Sequence, residues 1–295
     1  MPSIKDLKTR IGSTRNTQQT TKAMKMVSAA KLRRATDAIL SQRPYAQEIA
    51  RMMSVLASQG MGANENKPDH KPVTLLVAFS SDRGLCGGYN GSIIRAASAF
   101  LGQKKAEGKD VKCVFVGKKA HEILKSRMTF DLAHYEEFGA KITFRKATEL
   151  SKKILPLFDS GEVDEVVFIY NEFKNAISQE VRTDTVLPLS MDAESSSAEI
   201  MAKSSMADLV IFEPSKQELY DSLSAKYFVV QVFKALLEAQ ASEHGSRMSA
   251  MENATKNAGD MIRKLTLQYN KQRQAAITKE LLEIISGSES QKVQA

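Results

Sequence analysis

The sequence predicts an α/β fold of unusual plan: a long antiparallel two-helix coiled coil, formed by the N- and C-terminal helices, with a central α/β domain inserted between them. Three observations carry this. Residues Ser215 to Ser286 run for 72 positions without a proline, and a spacing of alternating fours and threes places Leu223, Tyr227, Val230, Lys234, Leu237, Ala241, His244, Met248, Met251, Thr255, Ala258, Ile262, Leu265 and Tyr269 on one seam. That is heptad spacing. The first 60 residues repeat it through Ile4, Leu7, Ile11, Thr14, Gln18, Thr21, Lys25, Ser28, Leu32, Ala35, Ile39, Gln42, Ala46, Ile49, Met53 and Leu56. Between these stretches, short β-branched runs alternate with amphipathic ones.

The N-terminal helix opens at Ser3, a side chain suited to cap it, and is rich in Ala, Met, Lys, Arg and Gln. Pro44 is its one interior breaker, where a bend is expected because proline removes a backbone donor. Its seam is apolar at both ends and polar in the middle. The loop from Gly60 to Pro72 ends it. Strands follow at Val73–Phe79, Val111–Val116, Glu165–Tyr170 and Leu209–Phe212, and helices at Ser92–Gly108, Lys118–Arg127 and Thr148–Phe158. This order favours a mostly parallel sheet, with Ser178–Leu187 as a further strand antiparallel to its predecessor. Met191–Ala207, polar and holding three consecutive serines, reads as a connection. The divisions expected are therefore 1–60 for the N-terminal coiled-coil helix, 72–212 for the central α/β domain, 213–286 for the C-terminal coiled-coil helix and 287–295 for a flexible tail. At a rise of about 1.5 Å per residue the helices would reach roughly 84 and 108 Å, so the second projects beyond the first.

Composition excludes several classes. The chain has 295 residues, of which 42% are hydrophobic and 26% charged, enough for a buried core. Its two cysteines, Cys86 and Cys113, form no CxxC spacing, which argues against a disulfide framework or a zinc site. The longest apolar runs, Leu75–Phe79 and Val166–Tyr170, are far shorter than the roughly 20 residues of a membrane span. The N-terminus has neither an apolar signal core nor the composition of a transit peptide; a bacterial, cytoplasmic chain, or one already processed, is expected. Net charge is +8, and the first 60 residues hold 11 Lys and Arg against 3 Asp and Glu, which accounts for the whole excess. That helix faces an acidic partner or solvent.

The loop Ser80-Ser81-Asp82-Arg83-Gly84-Leu85-Cys86-Gly87-Gly88-Tyr89-Asn90 follows a strand and precedes a helix, the setting of phosphate-binding loops. It has neither the Lys-Ser/Thr of a P-loop nor GxGxxG. A tight turn requiring positive φ explains the glycines better. His70, His121, His134 and His244 are scattered, with His244 on the seam as a packed or partly exposed side chain, and Cys86 lacks a basic partner in sequence. Asp82 and Arg83 read as a structural pair or an exposed turn. No catalytic residue, cofactor or metal site is expected.

Three long words, RIGSTRNTQQTTKAMKMVSAAKLRRA near the N-terminus, SDRGLCGGYN in the centre and RMSAMENATKNAGDMIRKLTLQYNKQRQAAITKELLEIISG near the C-terminus, resemble the gamma subunits of F-type ATP synthases. The likeness covers essentially the whole chain. It implies a central rotor shaft, not itself an enzyme, whose coiled coil turns inside a ring of three alpha and three beta subunits. The α/β domain would sit at the foot with the epsilon subunit and the c ring, coupling ion flow through that ring to the catalytic sites. Membrane association would arise through the complex alone, peripheral on the cytoplasmic face of the bacterial inner membrane. By the same likeness, Arg273, Gln274, Thr278 and Glu280 resemble residues that meet a loop of the beta subunit, and Met24 and Lys25 the opposite face of the shaft. Leu209, Val210, Ile211, Phe212 and Glu213 resemble the region near the c ring. No cysteine-bearing regulatory insertion is visible, so thiol regulation is not implied.

The competing class is a coiled-coil adaptor that binds nucleic acid or a membrane surface through its basic N-terminal helix. It predicts aromatic residues among the basic ones, yet Met1 to Gly60 holds no Trp or Phe and only Tyr45. A nucleotide-binding enzyme centred on SDRGLCGGYN is the other competitor.

Overall fold

A computed structural model describes residues 3–58, 72–125, 135–136, 142–176, 178–188, 213 and 215–293. Helix α1 (Ile4–Ser58) is followed by β1 (Val73–Phe79), α2 (Tyr89–Ala106), β2 (Asp110–Val116), α3 (Lys118–Leu124), β3 (Tyr135–Glu136), α4 (Phe144–Asp159), β4 (Glu165–Phe173), β5 (Gln179–Leu187) and α5 (Lys216–Val293). Helices at both termini thus flank a central mixed sheet. Contacts divide the chain into two compact units, Met1–Val27 with Met248–Ala295, and Ser28–Arg247.

In the first unit, α1 begins with a reciprocal cap. The Ser3 hydroxyl accepts from the Asp6 amide and the Asp6 carboxylate accepts from the Ser3 amide, both at 3.1 Å. These bonds satisfy donors that a helix start otherwise leaves open, and they hold the Asp6 carboxyl below its usual range. Further along, the hydroxyls of Thr21 and Thr255 lie 2.8 Å apart, Gln18 Nε2 donates to the Thr255 carbonyl at 3.5 Å, and Lys25 pairs with Glu252 at 2.6 Å. A Cβ on Gly259 would sit 3.0 Å from Gln18 Nε2, so this stretch is tightly approached. The polar middle of the predicted seam is a hydrogen-bonded contact.

The second unit holds the sheet, in the order β3-β2-β1-β4-β5. β1 pairs parallel with both β2 and β4, β2 parallel with β3, and β4 antiparallel with β5. The interior of β1 is buried on both faces, as its run LLVAF requires of a central parallel strand. One face packs Leu76, Ala78, Phe115 and Ile169 on Ile93, Ala97, Ala120 and Leu124 of α2 and α3. On the other, Phe79 stacks edge-on against Phe168, and Phe168 meets Phe228 of α5 with centroids 6.0 Å apart. Ile49 and Met53 of α1 pack with Val230 of α5.

Differences from expectation have local causes. α2 begins at Tyr89, three residues early, since Gly88 leads directly into it, and α4 begins at Phe144 because the Thr143 hydroxyl accepts from the Lys146 amide. α1 continues through Pro44 without ending. β3, only two residues long, carries too little pattern to be read from sequence. The backbone of α5 is helical to Val293, past the Ser286 bound expected for that helix; Gly287 alone does not stop a helix that no proline follows. The strand expected at Leu209–Phe212 and the connection Met191–Ala207 lie outside the described residues.

Candidate functional site: a helical partner surface and a filled crevice

Every one of the predicted seam positions on α1 and α5 is buried or half-buried. Beyond Ala276 the pattern stops, and residues 277–286 of α5 are all exposed. Ile277, Leu281, Leu282, Ile284 and Ile285 are among them, each at least 48% accessible. Large aliphatic side chains gathered on a bare helix end mark a surface that another chain covers. Arg273, Gln274, Thr278 and Glu280 lie on the same stretch and are exposed. The Thr278 hydroxyl donates to the Gln274 carbonyl at 2.9 Å, one turn back, whereas the guanidinium of Arg273 points to no partner among the described residues.

Met24 and Lys25 are half-buried, and Lys25 already holds Glu252. Their neighbours Met26 and Val27 are the exposed apolar pair, 60% and 57% accessible. Sequence reasoning missed them because the heptad counted only inward positions. Of the foot residues, Leu209, Val210, Ile211 and Phe212 lie outside the described residues, and Glu213 is an exposed bend.

The glycine loop between β1 and α2 sits where α/β sheets bind ligands. Connections leave β1 toward β2 and return on its other side at β4, so the reversal of strand order falls between β1 and β4 at their C-terminal ends. Here that crevice is filled from within. The Asn90 side chain accepts from the Ser81 amide at 3.0 Å and the Ser81 hydroxyl donates to the Arg83 carbonyl at 2.7 Å. Tyr89 is buried and its hydroxyl reaches the Phe79 carbonyl. Positive φ falls on Gly87, as a tight turn needs, but also on Leu85 at 63°, while Gly84 and Gly88 do without it. The Asp82 carboxylate accepts from the Lys118 amide at the start of α3.

Helix α5 closes the crevice. The Glu238 carboxylate accepts from the Phe173 amide at 2.8 Å, the Ser242 hydroxyl donates to the Asn171 carbonyl at 2.9 Å, and the Ser246 hydroxyl donates to the Cys86 carbonyl at 2.6 Å. Arg247 donates to the carbonyls of Arg83 and Gly84, both at 3.3 Å, and its other terminal nitrogen holds Glu243 at 2.6 Å. Burial pushes the carboxyls of Glu238 and Glu243 up, against the pull of the Phe173 amide and of Arg247 respectively. His244, also buried, is driven down to about 4 by desolvation and then by Arg247 and Lys31. Sequence reasoning read α5 as one seam and missed this second face. Its signal was present in FVVQVFKALLEAQA, which is apolar all round rather than on a stripe.

Cys86 and Cys113 are buried and free, and burial alone pushes the Cys113 thiol up to about 12. Among the described residues, no group of three or more His, Cys, Asp or Glu is placed to hold a metal ion, and no helix is long and apolar enough to cross a membrane.

A sheet whose switch point is bonded to the chain's own last helix, and a last helix whose end bares apolar side chains, are features of a structural subunit held by other chains. The comparisons place it further. The family model described as ATP synthase matches residues 3–290. The ATP synthase gamma chain of Geobacter metallireducens is 45% identical, over 99% of this chain and 100% of its own length, and that of Fuscovulum blasticum is 45% identical over 98% and 100%. This chain belongs to the ATP synthase gamma chain family. A chain of the Tetrahymena thermophila mitochondrial ATP synthase central stalk and c ring is similar at a TM-score of 0.61 and 28% identity, covering 79% of this chain and 98% of that one. One from the Euglena gracilis mitochondrial ATP synthase, in an assembly of OSCP, F1 and c ring, has a TM-score of 0.65 at 19% identity over 97% and 94%, a likeness of fold.

Proposed function

We propose that this chain is the central rotor shaft of a rotary ATP synthase. It carries no catalysis itself and couples ion flow through a c ring to conformational change at catalytic sites in a ring of alpha and beta subunits. The observation that carries this reading is the bare apolar end of α5 on a chain that matches gamma chains along its whole length. An end of this kind is stable when it turns inside a socket made by other chains. In this reading α1 and α5 form an antiparallel coiled coil, supported by the Thr21–Thr255 and Lys25–Glu252 contacts in one unit and by Ile49, Met53 and Val230 in the other. The working division keeps the expected bounds: 1–60 for the N-terminal coiled-coil segment, 72–212 for the α/β domain and 213–286 for the C-terminal coiled-coil segment, whose helix begins at Lys216.

Arg273, Gln274, Thr278 and Glu280 are assigned to contact with the beta subunit, with Met24 and Lys25 across the shaft. Charge-assisted hydrogen bonds suit the exposed Arg273 and Glu280 to that task. The foot, including Leu209 to Glu213, faces the c ring and an epsilon subunit, and the whole complex is peripheral on the cytoplasmic face of a bacterial membrane. Co-expression with alpha and beta chains tests the assignment. A stable complex that hydrolyses ATP and pumps ions once joined to its membrane sector is expected. A chain that stays alone, or binds nucleic acid with steep salt dependence, would return the adaptor reading.

A further inference from the structure

We propose that Glu238, Ser242, Ser246 and Arg247 form a mechanical joint that carries torque between the central sheet and α5; the proposal rests on the rotor reading. Three of these residues stand at intervals of four, one row along a single helix face. All four reach backbone atoms: the Phe173 amide, the Asn171 carbonyl, the Cys86 carbonyl, and the carbonyls of Arg83 and Gly84. The Phe173 and Asn171 atoms belong to β4 and are fixed by its antiparallel ladder with β5, while the Cys86, Arg83 and Gly84 carbonyls belong to the loop, which the bonds of Ser81, Asn90 and Asp82 hold in place. A side chain bonded to them therefore cannot follow a rotamer change to a new partner, and the helix cannot turn against the sheet without breaking several bonds together.

Burial strengthens the joint. Glu238 is 7% exposed and Ser242 is fully buried, so water is not at hand to replace the bonds as they open. Arg247 is fixed at its other nitrogen by Glu243, which aims its fork at the loop. Ordinary packing would need none of this. Alanine and leucine fill the rest of that helix surface, as Ala235, Leu236 and Ala239 do, and they grip by area alone, which resists separation better than sliding. The glycine loop acquires a function here as well: Gly87 and Leu85, both at positive φ, turn the chain so that consecutive carbonyls face α5. A loop placed where related folds hold phosphate is used to hold the chain's own helix.

The test uses the full complex in sealed vesicles, with ATP-driven ion uptake followed to its plateau. Wild type must first build a gradient; failure at that stage overturns the rotor reading and the joint with it. Arg247→Met with Ser246→Ala is expected to hydrolyse ATP normally when the gradient is collapsed. Its plateau gradient should fall to about half or less, and amide exchange over residues 84–87 should quicken about tenfold in the same complex. The effect belongs to load, because a loosened joint yields only when the foot resists. A full plateau with fast exchange would mean that the loop is held for shape alone, and unchanged exchange would remove the bonds themselves; either overturns the proposal. Should the double variant not assemble, Arg247→Lys decides instead. It keeps a cation for Glu243 but cannot span two carbonyls, and the same fall in plateau is required of it.

Discussion

Single residues in this chain are held by what surrounds them more than by what they are. His244 was legible from the heptad as a packed or partly exposed side chain, but its state was not, because that depends on how deeply it is buried and then on Arg247 and on Lys31 of another helix. Its imidazole sits near 4 in the folded chain against about 6.5 when unfolded, so the charged form is the disfavoured one. The unfolded chain takes up the proton first, and folding stability falls as pH drops from about 6.5 toward 4. A separation of that size corresponds to about 3 kcal/mol at full titration. Replacing His244 with Leu should flatten that acid limb in urea titrations of the full chain. Glu238 and Glu243 act in the opposite sense, since burial raises both, so the difference between variant and wild type is the quantity to read. An identical slope in both would exclude the histidine as its source.

At the scale of elements, the sequence was most readable where one physical rule governs. The heptad seam of α1 and α5 followed from side-chain periodicity, because over most of their length one face is buried and the other is not, and the bounds of β1 followed from the continuous apolar run that a strand buried on both faces requires. Where two rules meet, the pattern blurred. Residues 228–245 of α5 pack against helix and sheet together, so their apolar character loses its period, and the hydrogen bonds from Glu238, Ser242 and Ser246 end on backbone atoms that carry no sequence signal. Gly117 is another such place. It joins β2 to α3 at a φ of 97°, and a Cβ there would lie 2.0 Å from the Ser80 carbonyl oxygen. Neither the backbone nor that oxygen can yield, because the Ser80 amide is tied to the Val116 carbonyl at 2.7 Å. Gly117→Ala should therefore destabilise the chain by about 3 kcal/mol or more. Calorimetry would show a lowered midpoint, and a midpoint equal to wild type would refute the close approach.

For the molecule as a whole, the proposed partner surface rests on likeness to gamma chains alone. An exposed Arg273 or Gln274 on a helix resembles any solvated face, and nothing in periodicity singles them out. Changing both to Ala keeps helix propensity and removes no buried contact, so stability of the isolated chain should move by no more than about 0.5 kcal/mol. Coupled ATP turnover of the assembled complex should fall about tenfold, the factor that about 1.4 kcal/mol of lost contact gives. Turnover equal to wild type would take both residues off the contact surface. The pairing of Thr21 with Thr255, 234 positions apart in the chain, has one more consequence, for biosynthesis. The central strands lie close in sequence and can pair with one another as soon as they leave the ribosome, although the face bearing Phe168 stays open until α5 is made, and α1 too must wait for α5, the last element to be made. Throughout translation Leu7, Ile39 and Met53 have no mate, and the nascent chain carries an uncovered apolar stripe at its oldest end. Speed of elongation and access to chaperones thus bear on yield more than the final fold would suggest, and synonymous changes that slow the ribosome within residues 216–293 would lengthen the period of greatest exposure.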